Sequence, residues 1–114
     1  MKTSYFQRPG MTKNPDAVSI ARYAPRWWGA GRRDTSLAPS AALLADYQAG
    51  DVRWWRYVMR FKTETLDRLD PAKVYEKYQD SVLCCWCGPE IKFCHRRLVA
   101  EWIEKSLGIE VPEL

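Results

Sequence analysis

The feature that most constrains the fold is the almost continuous apolar run at residues 81–87, which reads SVLCCWC. A strand exposed on one face would alternate apolar and polar residues, and this run does not alternate. Such a run is typical of a central strand in a parallel sheet, covered on both faces. Gly88 and Pro89 follow it and predict that the strand ends there. We therefore expect the chain to fold around a buried parallel strand.

The rest of the chain predicts two further strands and four helices. Ser40 and Asp70 are expected N-caps, and Gly50 and Gly108 are expected to end helices. The predicted order is strands at 3–6 and 17–21, helices at 41–49, 51–69 and 72–78, the strand at 81–87, and a helix from Cys94 to 107. Helical crossovers between strands predict the α/β class: a small, mostly parallel sheet with helices packed on its faces, in a Rossmann-like three-layer arrangement. The length suits one domain over residues 1–114.

Charge and cysteine content narrow the expected partners and compartment. The net charge of +4 and the pI near 9.0 favour an anionic partner. No stretch has the roughly 20 apolar residues of a membrane helix, and the first residues lack a secretory pattern. We therefore expect a cytoplasmic protein with no membrane partner. All four cysteines lie within 11 residues, which favours a reduced protein with a local site over a secreted disulfide framework.

Two segments carry the residues that suit a ligand site. Cys94-His95-Arg96 opens the last predicted helix, where backbone N–H groups and the helix dipole favour an anion. The segment 22–33 follows the second strand and carries four arginines and three aromatic residues. Arginine suits phosphate groups, and an aromatic ring can stack on a base. Because ligands of parallel sheets bind beyond the carboxyl ends of the strands, both segments are expected at one edge of the sheet.

These segments together predict a cleft that binds a nucleotide-like or otherwise phosphorylated anion. An enzymatic reaction on that ligand is left open, as are any cofactor and the oligomeric state. The helix dipole and Arg96 would lower the pKa of Cys94, so Cys94 and His95 are the candidate catalytic pair. The candidate ligand-binding residues are Tyr5, Arg22, Tyr23, Arg26, Trp27, Arg96 and Arg97.

Two other functions fit the same residues. The arginine and tryptophan side chains could form a nucleic-acid-binding surface. The clustered cysteines could instead hold a zinc ion in an interaction protein, with Cys85, Cys87, Cys94 and His95 as ligands. On a strand, Cys85 and Cys87 would face the same side, whereas Cys84 would face the other. Buried cysteines that simply pack as small apolar residues are the alternative to a metal site.

The cysteine strand and the Cys-His-Arg segment also resemble a known family. Residues 82–85 read VLCC and residues 93–102 read FCHRRLVAEW, which resembles the C-terminal signature of the DUF488 family. Residues 3–6, 18–22, 25–28 and 37–40 are similar to the N-terminal blocks of one DUF488 subgroup. Either Cys84 or Cys85 could match the strand cysteine of the family, and Cys87 has no counterpart. The resemblance implies a fold and a site at Cys94, and no particular reaction.

Overall fold

The computed structural model describes residues 1–28, 32–88 and 94–114. Within these residues, the protein contains a sheet of four parallel strands. The strands are β1 (Lys2–Tyr5), β2 (Ala17–Ser19), β3 (Arg32–Arg33) and β4 (Val82–Cys85), in the spatial order β1-β4-β2-β3. β4 is buried along its whole length because it lies between β1 and β2 and both of its faces are covered. The apolar run thus forms a central strand, as predicted.

In the described part of the chain, four α-helices accompany the sheet, which confirms the α/β class. They are α1 (Ala41–Gln48), α2 (Trp54–Glu64), α3 (Pro71–Tyr78) and α4 (His95–Leu107). Ser40 caps α1 by accepting the Leu43 N–H at 3.1 Å, and the Asp70 carboxylate caps α3 by accepting the Ala72 N–H at 3.0 Å. Gly108 ends α4 with φ 67°, a conformation that glycine adopts readily. Among the described helices, none is long and apolar enough to cross a membrane.

Alternate residues of β4 face two different sides of the sheet. Leu83 joins Val18 and Ile20 in a core cluster that includes side chains from all four helices. Cys84 points to the opposite face and belongs to a second cluster, together with Phe6 and Trp28. Strand alternation therefore places Cys85 on the helical side of the sheet, where α4 begins.

The two faces of the sheet are covered by different kinds of element. Within the described residues, loop side chains such as Phe6, Met11 and Trp28 cover one face, and the helices lie on the other. The physical reason is the connection between β1 and β2. It carries Pro9 and Gly10 and forms only a 3₁₀ turn at Met11–Lys13, too short to replace a packed helix.

Two element boundaries differ from the sequence predictions. Arg32 and Arg33 form β3, which pairs with β2, although the segment 22–33 was expected to be a loop. The predicted helix over 51–69 is instead α2 followed by a separate 3₁₀ turn at Leu66–Arg68. The break falls at Thr65, whose φ of −118° departs from the usual α-helical value near −63° and whose hydroxyl donates to the Ala38 carbonyl at 3.0 Å.

The C-terminal tail lies beside β1 at the edge of the sheet. The Thr3 N–H donates to the Pro112 carbonyl at 3.1 Å, and the Leu114 N–H donates to the Thr3 carbonyl at 2.8 Å. Glu113 pairs with Thr3 in a parallel bridge. This pairing holds the Glu113 carboxylate beneath the first turn of α4.

Candidate functional site

A cleft of about 710 Å³ opens at the carboxyl ends of β2 and β4, beside the start of α4. This is the edge at which ligands of parallel sheets bind, and the volume falls within the roughly 300–1,000 Å³ of small-molecule sites. Its lining residues come from the end of β4, the start of α4, the segment after β2, and the α1–α2 region: Ala21, Arg22, Tyr23, Ala24, Arg26, Pro39, Leu44, Tyr47, Gln48, Trp54, Tyr57, Cys85, Trp86, Cys87, Cys94 and His95.

Three cysteine side chains meet at one side of this cleft. The sulfur atoms of Cys85, Cys87 and Cys94 all lie within 4.8 Å of one another. Those of Cys85 and Cys94 are in direct contact, as in a disulfide, while the Cα atoms of the two residues are 7.8 Å apart. A cysteine in a disulfide does not titrate. The low pKa predicted for Cys94 therefore applies only when its sulfur is not bonded to that of Cys85.

Cys84 has a different environment from the three clustered cysteines. It lies on the opposite face of the sheet, within the second core cluster. Burial raises the pKa of its thiol to about 12, so it remains a neutral apolar group at ordinary pH. Of the two cysteines that could match the strand cysteine of the DUF488 signature, Cys85 is the one that faces the cleft.

His95 is almost fully buried at the first position of α4. Its Nε2 lies 2.8 Å from the Ile20 carbonyl oxygen, which can only accept, so Nε2 carries the proton and donates. The ring packs edge-on against Phe61, with 5.7 Å between the ring centroids. Burial is the main cause that lowers the pKa of His95 to about 4. The ring is therefore neutral at pH 7, with Nδ1 unprotonated.

Arg96 points away from the cleft and is only 2% exposed. Its guanidinium forms an ion pair with Glu113, with Nη2 and Oε2 2.7 Å apart. Its Nη1 donates to the Cys85 sulfur at 3.0 Å and to the Cys87 carbonyl at 2.7 Å. Arg96 therefore supports the two cysteine segments from behind, and its donors are used within the protein.

The segment after β2 forms one rim of the cleft. The Arg22 Nε donates to the Pro39 carbonyl at 3.0 Å, which fixes this arginine across the cleft wall. The Trp86 indole donates to the Tyr23 carbonyl at 2.7 Å and so joins this segment to the end of β4. Arg26 lines the same rim and is exposed to solvent. Arg22 and Arg26 together form the arginine rim of the cleft.

Another part of the cleft lining is the aromatic wall, formed by Tyr47, Trp54 and Tyr57. The Trp54 and Tyr57 rings are stacked with centroids 5.0 Å apart, and the Tyr47 ring lies 4.8 Å from that of Tyr57. Burial raises the pKa of Tyr57, so its hydroxyl stays protonated. This wall presents ring surface without negative charge.

The structure brings together five of the nine predicted site residues. Cys94, His95, Arg22, Tyr23 and Arg26 all line the cleft. The remaining predicted residues lie elsewhere: Tyr5 at the end of β1, Trp27 against Phe6, Arg96 against Glu113, and Arg97 against Thr3 and Val111. Successive residues at a helix start point in different directions, so the neighbours of His95 do not share its orientation. The glycines of the 22–33 segment, Gly29 and Gly31, lie outside the described residues.

The sequence predictions missed the aromatic wall. Tyr47, Trp54 and Tyr57 come from α1 and α2, which lie outside the two segments that were predicted to form the site. The spacing of Trp54, Tyr57 and Phe61 on one helix face was the available signal. Nothing in the sequence linked that face to the Cys94 segment, because the link depends on how α2 packs.

The fold and cleft define a small α/β domain with a cysteine- and histidine-lined site at the carboxyl edge of a parallel sheet. Comparison with family models gives the narrower assignment. Residues 10–107 match the model described as the active DUF488-N3 subclade, and the chain therefore belongs to the DUF488 family. No curated protein and no solved structure matches the chain.

Proposed function

We propose that the cleft binds a nucleotide-like anionic ligand, with its ring against the aromatic wall and its anionic group between the arginine rim and the start of α4. The observation that carries this proposal is that aromatic rings and arginines line the same cavity. Tyr47, Trp54 and Tyr57 line it together with Arg22 and Arg26. The class of ligand is inferred from the chemistry of these aromatic and arginine side chains.

The aromatic wall supports a planar ring as one part of the ligand. Base–aromatic stacking contributes about 1–3 kcal/mol for each base. The Trp54 ring is only half-buried and lines the cavity, so part of its surface faces the cleft. A cavity of about 710 Å³ has room for a ring and an attached sugar phosphate.

The arginine rim and the start of α4 support an anionic group as the other part. The hydrogen bond to Pro39 holds Arg22 in place, and its terminal nitrogens supply the forked donors that suit a phosphate. The first turn of a helix has N–H groups without intrahelical acceptors, and its dipole favours a negative charge. Here that turn begins at His95, on the cleft.

Titration with the four ribonucleoside monophosphates tests this proposal. The matching nucleosides, which lack the phosphate, are the controls. Binding is followed at low salt by tryptophan fluorescence and by the melting temperature. At least one nucleotide should bind, and its nucleoside should bind more weakly. Arg26→Gln should weaken nucleotide binding, whereas Arg56→Gln on the exposed side of α2 should not. The absence of a response to all four nucleotides would refute the proposal.

A nucleic-acid-binding function is favoured by a separate observation. Trp27 and Trp86 are about half exposed, and both pack edge-on against Phe6 beside the arginine rim. Such exposed rings suit the bases of a single strand. Binding of a short oligonucleotide should then weaken with salt, with a slope of about −0.7 for each phosphate contacted. Equal affinity for a mononucleotide and an oligonucleotide would argue against this second function.

The remaining parts of the proposal concern chemistry and compartment. A reaction on the bound ligand would fall to Cys94 as nucleophile and to His95 Nδ1 as proton acceptor, since both line the cleft. The proposed compartment is the cytoplasm, because cysteines clustered in one short segment favour a local site over a secreted disulfide framework. Turnover that survives in Cys94→Ser would exclude the nucleophile.

A further inference from the structure

The three cysteines that meet at the cleft form a donor set suited to a soft metal ion. Cys85 ends β4, Cys87 follows two residues later, and Cys94 precedes the first turn of α4. Their sulfur atoms lie within 4.8 Å of one another. Thiolates bound to one zinc ion at about 2.3 Å in a tetrahedral site stand about 3.8 Å apart, so only small adjustments are needed.

The backbone geometry favours a bridging ion over a direct sulfur–sulfur bond. The Cα atoms of Cys85 and Cys94 are 7.8 Å apart. Disulfides usually join Cα atoms separated by roughly 4.4–6.8 Å, and a separation above about 7 Å requires the backbone to move. An ion between the two sulfur atoms allows the wider separation. Cys87 supplies a third sulfur, which a disulfide would not use.

Groups around the cluster also suit a negatively charged metal–thiolate centre. The Arg96 Nη1 donates to the Cys85 sulfur at 3.0 Å and to the Cys87 carbonyl at 2.7 Å. Such contacts orient metal ligands from behind and offset the charge of the thiolates. His95 lies outside the group of three, and its Nε2 is engaged by the Ile20 carbonyl. The three sulfurs also line the cleft, so a fourth ligand can approach from it.

We propose that Cys85, Cys87 and Cys94 bind one zinc ion whose fourth coordination position opens to the cleft. Each thiol releases its proton to solvent on binding. Three protein ligands and an open position are typical of catalytic zinc sites, whereas structural sites use four protein ligands. The zinc ion and the nucleotide-like ligand are assigned to different residues, so zinc binding and nucleotide binding are tested separately. With zinc bound, Cys94 is a metal ligand and no longer the candidate nucleophile.

The test uses metal-free protein kept reduced with a phosphine, titrated with Co²⁺ and then with Zn²⁺. One Co²⁺ for each chain should bind and produce thiolate-to-cobalt absorption in the near ultraviolet, which Zn²⁺ should abolish. Cys87→Ala should weaken Zn²⁺ binding at least about tenfold, since even loss of a group behind a ligand can cost that much. Cys84→Ala is the matched control, because its side chain lies on the other face of the sheet.

The outcomes separate clearly. Absence of metal binding by the reduced wild-type protein would overturn the proposal without reference to any variant. Equal weakening by Cys84→Ala and Cys87→Ala would also overturn it, provided that circular dichroism shows both folded. If Cys87→Ala does not fold, Cys87→Ser takes its place, because a serine hydroxyl keeps the size and removes the soft donor.

Discussion

The Arg96 guanidinium and the Glu113 carboxylate form an ion pair that links the C-terminal tail to the first turn of α4. The Arg96 Nε lies 3.1 and 3.0 Å from the two Glu113 oxygens, and Nη2 lies 2.7 Å from one of them. Thr3 on β1 also donates to this carboxylate, at 2.5 Å. The remaining Arg96 donors reach the cysteine segments. The tail therefore sets the position of the site, although it lies outside the cleft.

Removal of the Glu113 charge should destabilise the protein strongly. Glu113→Gln leaves the buried Arg96 guanidinium without its counter-charge, and loss of one partner of a buried pair costs about 3–5 kcal/mol. Because the Glu113 side chain is 33% exposed, we expect a smaller loss of about 2 kcal/mol in the free energy of unfolding. Urea denaturation measures it. Glu110→Gln, an exposed change in the same tail, should have little effect, and an equal loss in both variants would contradict this account.

His95 should make the metal-free protein sensitive to mild acid. Burial lowers the pKa of His95 to about 4 in the folded state, whereas an unfolded histidine titrates near about 6.5. The unfolded chain therefore takes up the proton first, and stability falls as the pH drops from about 6.5 to 4. The full difference corresponds to about 3 kcal/mol.

This pH dependence is accessible because His95 is the one histidine in the sequence. Its imidazole resonances in NMR spectra should report a pKa near 4. The unfolding free energy of His95→Asn should vary less than that of the wild type between pH 6.5 and 4. A measured pKa at the ordinary value would contradict the buried, neutral ring.

The aromatic wall should contribute to ligand affinity at Trp54 and not at its neighbour Trp55. Trp54 lines the cleft, whereas Trp55 is 60% exposed on the other side of α2. With the nucleotide that binds best, Trp54→Leu should weaken binding by about 1–3 kcal/mol, or about 5- to 150-fold. Trp55→Leu should leave the affinity unchanged. Calorimetric titration measures both affinities. Equal affinities in the two variants would show that the ring of the ligand does not stack on Trp54.

Much of the fold follows from local sequence signals. The apolar run around Leu83 predicts a central strand, and Ser40 and Asp70 mark helix starts because their side chains can accept backbone N–H groups. β3 was not predicted, because Arg32 and Arg33 show no alternation of apolar and polar residues. These two residues form a strand only through their pairing with β2. Such tertiary pairing has no local signature.

The site was predicted less completely than the fold, for a related reason. Arg96 looked like an anion ligand because it opens a helix, but Glu113, 17 residues further along, draws it into the interior. The aromatic wall depends on how α1 and α2 pack over the carboxyl edge of the sheet. Cys94 and His95 were predicted at that edge because the strand and helix on either side of them are strongly patterned.

A nucleotide-like anion that occupies the cleft should contact both the aromatic wall and the start of α4. Amide chemical-shift mapping on isotope-labelled protein, titrated with the four nucleoside monophosphates, locates the binding site. Saturable shifts should centre on Tyr23, Tyr47 and His95, with the groove between α2 and α4 near Lys62 and Trp102 unaffected. The absence of saturable shifts, or shifts centred on that groove, would contradict binding in the cleft.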